Sequence, residues 1–295
     1  MNEFKTYHPF VNFTYFVFAI GFSCFFMHPV CLGISLISGF TYSTMLKGRK
    51  AIKTNLIYML PILILMALMN PAFNHEGVTI LSYLPSGNPI TLESVLYGIC
   101  TAMMIVCVIC HFSCCNEIMT SDKFIYLFGK IIPSLSLIIS MTLRFVPKFS
   151  NQLKVVSNTQ KCIGRDITEG SIINKAKCGL SILSIMTTWS LENAIETADS
   201  MKARGYGIPG RGSFSIFTFD KRDTKALICI LVSGIYTLIG NLRGAISFSY
   251  FPSVEWADFS IYGMSVFASY FFLCMYPVIT ETWEVIKWKS LRLKI

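Results

Sequence analysis

Two stretches of this chain carry side chains whose types and spacing could do chemistry. The first is Cys107-Val-Ile-Cys110-His111, with Cys114 one turn on. Cys-x-x-Cys-His is the spacing of covalent c-type haem attachment. On a helix these residues fall at i, i+3, i+4 and i+7, a single face that could hold a metal. The opposing reading is packing, because the chain has 11 cysteines, mostly within apolar or basic segments. A reduced thiol there behaves as a small apolar side chain. Packing is the reading adopted, with a membrane redox or metal protein as an alternative. The second stretch is Ala203-Arg204-Gly205-Tyr206-Gly207-Ile208-Pro209-Gly210. A glycine just past a helix supplies a left-handed cap and a following proline prevents continuation. An arginine at that point complements the negative end of the helix dipole. Glu192 and Glu196, four apart, lack a nearby nucleophile or metal partner and read as a solvated face. The sequence contains no G-x-x-x-x-G-K-[ST] phosphate loop, so the chain is expected not to be an ATPase itself. It is expected to hold no metal and no cofactor of its own.

The elements that position these residues belong in lipid. Hydrophobic residues make up 53% of the chain and charged residues 14%, with a mean hydropathy of +0.57. A soluble domain carries about 25% charge, and a soluble chain of this composition would expose large apolar patches. Six apolar runs approach the roughly 20 residues that cross a bilayer: Pro9–Met27, Pro29–Met45, Asn55–Phe73, Ser94–Cys115, Ala226–Ile239 (extended to Asn241) and Phe259–Ile279. None has Asp, Glu, Lys or Arg in its interior, which disfavours a proton-driven carrier. A permease that carries its own substrate stays open as an alternative, although the spans offer only scattered Ser, Thr and Asn.

Charge placement sets the orientation. With the N-terminus in the cytoplasm, all of the 25 Lys and Arg except Arg243 fall on the cytoplasmic side, as the positive-inside rule requires. The loop Asn74–Glu93 has neither Lys nor Arg. The chain is therefore expected in the cell membrane as a multi-pass protein with both termini cytoplasmic. Topology accounts for the net charge of +9, and no nucleic-acid partner is implied. The first apolar run has no small-x-small cleavage pattern and reads as a retained span.

The segment from Asn116 to Lys225 has a different texture, with charges threaded through apolar residues at helical spacing. One helix is expected from about Pro133 to near Cys162, with a kink at Pro147. A second runs from Ala176 to Ala203, with Ile182, Met186, Trp189, Leu191, Ile195 and Ala198 as its apolar positions. Ser190, Ala194 and Ala198 recur every four residues as a small-residue ridge that lets another helix approach closely. Two further spans with ragged ends are the alternative reading. The fold expected is an all-α polytopic membrane protein of about six transmembrane helices. The membrane helices are 1–118, the long crossing amphipathic coupling helices are 119–224, and the C-terminal membrane helices with a basic tail are 225–295.

Asp199-Ser-Met-Lys-Ala203-Arg204-Gly205-Tyr206-Gly207 resembles the second Ala-Arg-Gly coupling motif of the transmembrane T component of energy-coupling factor transporters. Thr142-Leu-Arg144-Phe-Val-Pro147 is similar to that family's Leu-Arg-Phe-x-Pro stretch. Asn70-Pro71-Ala-Phe73-Asn74-His75-Glu-Gly77, with the hairpin-like Val78–Thr91, resembles an exported loop of part of the family, and 211–223 its return segment. The resemblance covers most of the chain from Asn70 to Asp223, while about the first 65 and last 60 residues match only in hydropathy.

The resemblance implies a mechanical role without catalytic residues. Two ATP-binding-cassette ATPases would bind ATP, and a membrane-embedded S component would bind a vitamin or transition-metal ion. Each coupling helix would end in an Ala-Arg-Gly docked in a groove on one ATPase. Here the second motif is Ala203-Arg204-Gly205, while the first position holds Cys162-Ile163-Gly164. The glycine is kept and the arginine is not; Lys161 and Arg165 flank the position, and Gly164 and Arg165 are carried as its coupling residues.

Overall fold

The computed structural model describes residues 3–83, 89–129, 132–165, 171–206, 208, 217–256 and 260–292. Two compact units emerge, one formed by 1–124 with 217–295 and the other by 125–216.

The first unit is a helical bundle. Its helices are α1 (Glu3–Thr6), α2 (Pro9–Phe25), α3 (Pro29–Lys47), α4 (Arg49–Phe73) and α5 (Leu92–Ile118). After the start of α6 (Ser121–Gly129), the unit resumes with α9 (Lys221–Leu242) and α10 (Ile261–Arg292), numbered in chain order with α7 (Pro133–Cys162) and α8 (Ile172–Ala203) of the second unit. Both α2 and α3 start at a His-Pro pair. His8 and His28 are N-caps whose Nδ1 atoms accept the Phe10 and Val30 N–H groups at 3.2 Å each. The prolines sit where a missing N–H costs nothing. Asp220 and Asp223 form a reciprocal capping box at the start of α9.

Four of the six apolar runs lie wholly in a helix; Pro9–Met27 outlasts α2 by two residues, and the last run is helical from Ile261, with Phe259 outside the described residues. α3, α5, α9 and α10 are long and apolar enough to cross a membrane, whereas Pro9–Phe25 and Met59–Phe73 are shorter apolar helices. The chain is an all-α polytopic membrane protein. Two short antiparallel hairpins complete the unit. Ile80–Tyr83 (β1) pairs with Pro89–Thr91 (β2), matching Ile80 to Thr91, and Phe248–Ser249 (β3) pairs with Glu255–Trp256 (β4). The first lies within the hairpin-like 78–91, of which 84–88 fall outside the described residues.

The bundle core runs through Phe4, Tyr15, Phe22, Tyr42, Ile118, Ile230, Tyr270 and Leu273, all buried. Helix packing is close where side chains are small: a methyl on Gly98 of α5 would stand 3.1 Å from the Ala67 carbonyl of α4. The first turn is latched to the last helix, with the Phe4 N–H donating to buried Glu281 at 3.2 Å. Buried Lys123 donates to the Lys5 carbonyl at 2.6 Å.

Candidate functional site

The second unit is built on α7 and α8, of 30 and 32 residues. α7 runs from Pro133 through Pro147 to Cys162 as expected, and α8 starts a turn before Ala176. The two pair in antiparallel order. Near the α7 midpoint, Phe149 meets Trp189 edge to face with centroids 5.2 Å apart. Lys148 hydrogen-bonds Asn193 and lies 5.5 Å from the Trp189 ring centroid. Further along, Val156 joins Cys178, Ile182 and Met186 in a buried cluster. At the α7 end, the Cys178 thiol donates to the Arg165 carbonyl at 3.1 Å.

This contact face corrects the expected grouping of apolar positions. Ile182, Met186 and Trp189 face α7, but Leu191 and Ile195 are 62% and 65% exposed. α8 therefore has two apolar stripes, one satisfied by α7 and one outward. The small-residue ridge is not where α8 meets α7, since Ser190 is half-buried and Ala194 and Ala198 are exposed. A ridge of small residues is read from spacing, but spacing alone does not say which face a helix turns to its neighbour. Of the residues that pin α7 to α8, Trp189 was expected among the apolar positions of α8, whereas its partner Phe149 and the Lys148–Asn193 pair were not singled out as contacts; Phe145 and Phe149, four apart, were the available signal.

The two helix ends are built alike. At the α8 end, Arg204 has φ −81° and ψ 6° and Gly205 has φ +76°. The Gly205 N–H bonds the Lys202 carbonyl at 2.9 Å, and the Tyr206 N–H bonds Met201 at 3.0 Å. At the α7 end, Ile163 has φ −91° and ψ 9° and Gly164 has φ +79°. There the Gly164 N–H bonds Lys161 at 3.0 Å, and the Arg165 N–H bonds Gln160 at 3.0 Å. Both have the glycine-centred form of a Schellman cap, whose positive φ favours glycine over any residue with a Cβ. Residue by residue, Cys162 corresponds to Ala203, Ile163 to Arg204, Gly164 to Gly205 and Arg165 to Tyr206. Ala203 and Arg204 are exposed and Gly205 half-buried. Arg165 is exposed but lies past the glycine, so its side chain does not leave the cap where that of Arg204 does. Gly207, Pro209, Gly210 and 211–216 fall outside the described residues.

Because the helices are antiparallel, their capped ends lie at opposite ends of the pair. Arg165 sits beside Cys178, and 26 residues of α8 separate Cys178 from Arg204. At 1.5 Å per residue the ends are roughly 40 Å apart.

The cysteine cluster on α5 has a different character. Cys107 donates to the Leu32 carbonyl at 3.4 Å, Cys110 lies 3.7 Å from the Met59 sulfur, and Cys114 lies 3.8 Å from the Gly39 carbonyl. His111 Nε2 lies 3.0 Å from Ser35 Oγ, which is 2.6 Å from Ser23 Oγ. Each side chain addresses a separate neighbour on α3 or α4. Among the described residues, no three His, Cys, Asp or Glu gather as a metal-ligand set.

Residues 7–214 match the CbiQ family of cobalt transport proteins. The chain belongs to this family. Its relatives include proteins called energy-coupling factor transporter transmembrane protein EcfT. That of Streptococcus equi subsp. equi is 34% identical over 103 residues, 35% of this chain and 38% of the relative. That of Streptococcus thermophilus is 36% identical over 102 residues, 34% of this chain and 39% of the relative. The Bacillus subtilis protein is 28% identical over 102 residues, 34% of this chain and 38% of the relative. In each case the match spans less than half of the relative's length. This CbiQ-family chain is thus a transporter-family membrane protein, and its paired helix caps are the part of it with a geometry to explain.

Proposed function

We propose that the chain is the transmembrane coupling subunit of an energy-coupling-factor importer. It transmits the motion of two ATP-binding-cassette ATPases to a membrane-embedded S component during uptake of a vitamin or transition-metal ion. ATP is bound by the ATPases and the substrate by the S component; the chain itself carries no catalytic group. The N- and C-termini and the α7–α8 unit lie on the cytoplasmic side, in keeping with the clustering of Lys and Arg.

The observation that carries this reading is the α8 end. Arg204 is exposed at the cap of a 32-residue helix, where its fork of N–H donors suits the carboxylates or carbonyls of a groove. Gly205 ends the helix at that point, and the small Ala203 permits a close approach. The outward stripe of α8, with Leu180, Leu183, Leu191 and Ile195 exposed, beside Ala194 and Ala198, supplies a surface for the S component. Five EcfT relatives above 30% identity, each matched over about a third of this chain, support the assignment.

The test is affinity purification of the tagged chain from its native membrane in mild detergent, with partners identified by mass spectrometry. Two ATP-binding-cassette subunits and a small polytopic protein in near-equal amounts are expected. A chain recovered alone would defeat the proposal, and one that carried haem or iron would transfer the interest to Cys107, Cys110, His111 and Cys114.

A further inference from the structure

The two capped ends share their backbone angles and hydrogen bonds, yet they present opposite chemistry. Where α8 has Arg204, α7 has Ile163, which is 68% exposed. Arg165 stands where the α8 end has Tyr206: its N–H closes the cap on Gln160 as that of Tyr206 does on Met201, so its exposed side chain leaves the chain two residues beyond the Arg204 position. Two more isoleucines lie at the same end of the helix pair. Ile172 and Ile173 open α8 a few residues before Cys178 and are 85% and 67% exposed. Both lie on the far side of the Arg165–Cys178 contact from the Phe149–Trp189 contact. The α7 end thus presents an isoleucine at the cap position where the α8 end presents an arginine, with Lys161 and Arg165 exposed on either side of it.

We propose that the α7 end is an apolar dock. Ile163, supported by Ile172 and Ile173, seats in an apolar pocket on one ATPase, while Arg204 enters an acceptor-lined groove on the other. This inference rests on the reading of both caps as ATPase docks. An isoleucine in a groove built for a guanidinium would strand acceptors that have lost their donors, and a guanidinium in an apolar pocket would be buried without a partner. One groove therefore cannot serve both ends, and the two ATPase sites differ where they receive this chain. The close match of the two caps makes the side chain the distinguishing feature.

The experiment titrates the ATPase subunits, recovered from the native complex, onto the full chain in lipid nanodiscs. Ile163→Leu should bind within twofold of the wild type. Ile163→Asp and Ile163→Arg should each weaken ATPase binding at least tenfold, about what burial of one aliphatic side chain is worth. Arg204→Glu is measured in parallel. Ile163→Arg binding as tightly as the wild type, or more tightly, would overturn the proposal, since the groove would then accept arginine. Unchanged binding by Ile163→Asp would overturn it too, and a loss in Arg204→Glu would leave the coupling role standing. If the wild type binds no ATPase, the coupling role falls and this inference with it. Ile163 is exposed, so the substitutions leave packing intact; unchanged melting temperatures serve as the control.

Discussion

Trp189 of α8 stands edge-on to Phe149 of α7, with ring planes at 78° and centroids 5.2 Å apart. Among the described contacts it lies between the Lys148–Asn193 bond and the buried Val156 cluster, and it pins the two long helices near the middle of α7. Trp189→Ala removes the ring from both Phe149 and Lys148. A loss of about 2–3 kcal/mol is expected from the removed aromatic contacts at a half-buried site. Thermal unfolding and limited proteolysis of α8 measure it; a variant as stable and protease-resistant as the wild type would remove this contact from the account.

Arg204 is exposed at the cap of α8, so its substitution should separate function from folding. Arg204→Glu should stay within about 0.5 kcal/mol of wild-type stability and reach the membrane in normal amount. ATP-driven uptake should fall to background. Arg204→Lys keeps the charge but loses the planar fork and should retain part of the activity. Uptake assays on stably inserted protein decide the matter, and normal transport by the glutamate variant would sink the coupling role of the α8 end.

The small residues on the outward side of α8 lead to a different expectation from those facing α7. Ala194 and Ala198 are exposed, so Ala198→Leu should leave the α7–α8 pair folded and its melting temperature unchanged. Uptake should still be lost, because a leucine there holds off an approaching helix. Unchanged transport would exclude this ridge as a partner-helix surface. A drop in stability would instead place it in internal packing.

His28 should make the bundle acid-sensitive. Its Nδ1 accepts the Val30 N–H, and its ring lies 5.3 Å from Phe248 and 5.0 Å from Phe267. Burial holds the imidazole below its usual value of 6.5. The unfolded state then takes up the proton first as pH falls. The contribution is therefore complete above about pH 6.5 and fades as pH drops through that value toward the lower folded one. Melting temperature should decline more steeply between pH 7.5 and 5.5 for the wild type than for His28→Asn, which caps without titrating. Parallel slopes would show that this histidine does not set the acid response.

Much of the architecture was legible because lipid imposes few choices. Each of the six apolar runs marked a helix, four of them lying wholly within it, and the Pro133 start, the Cys162 end and the glycine-proline stop after Ala203 marked the long helices through backbone chemistry that acts locally. Helix continuation beyond lipid was less visible: α9 begins at Lys221 and α10 persists to Arg292, because capping at Asp220 and turn-by-turn hydrogen bonding outlast the apolar run. The side-chain partition on α8 was missed for a different reason. Leu191 and Ile195 are as apolar as Ile182 and Met186, and only the position of α7 distinguishes an inward from an outward stripe. The equivalence of Ile163 and Arg204 followed from aligning two glycines, but the exposure of Ile163 had no sequence signal.

The pin between α7 and α8 divides them evenly. From Phe149 to Ile163 there are 14 residues and from Trp189 to Arg204 there are 15, giving arms of about 21 and 22 Å on opposite sides of the contact. The aromatic contact thus stands nearly midway between the two tips, and a sideways load of a given size strains it about equally from either one. A displacement of about 4 Å at either tip corresponds to a tilt of that arm by roughly 10° about the contact.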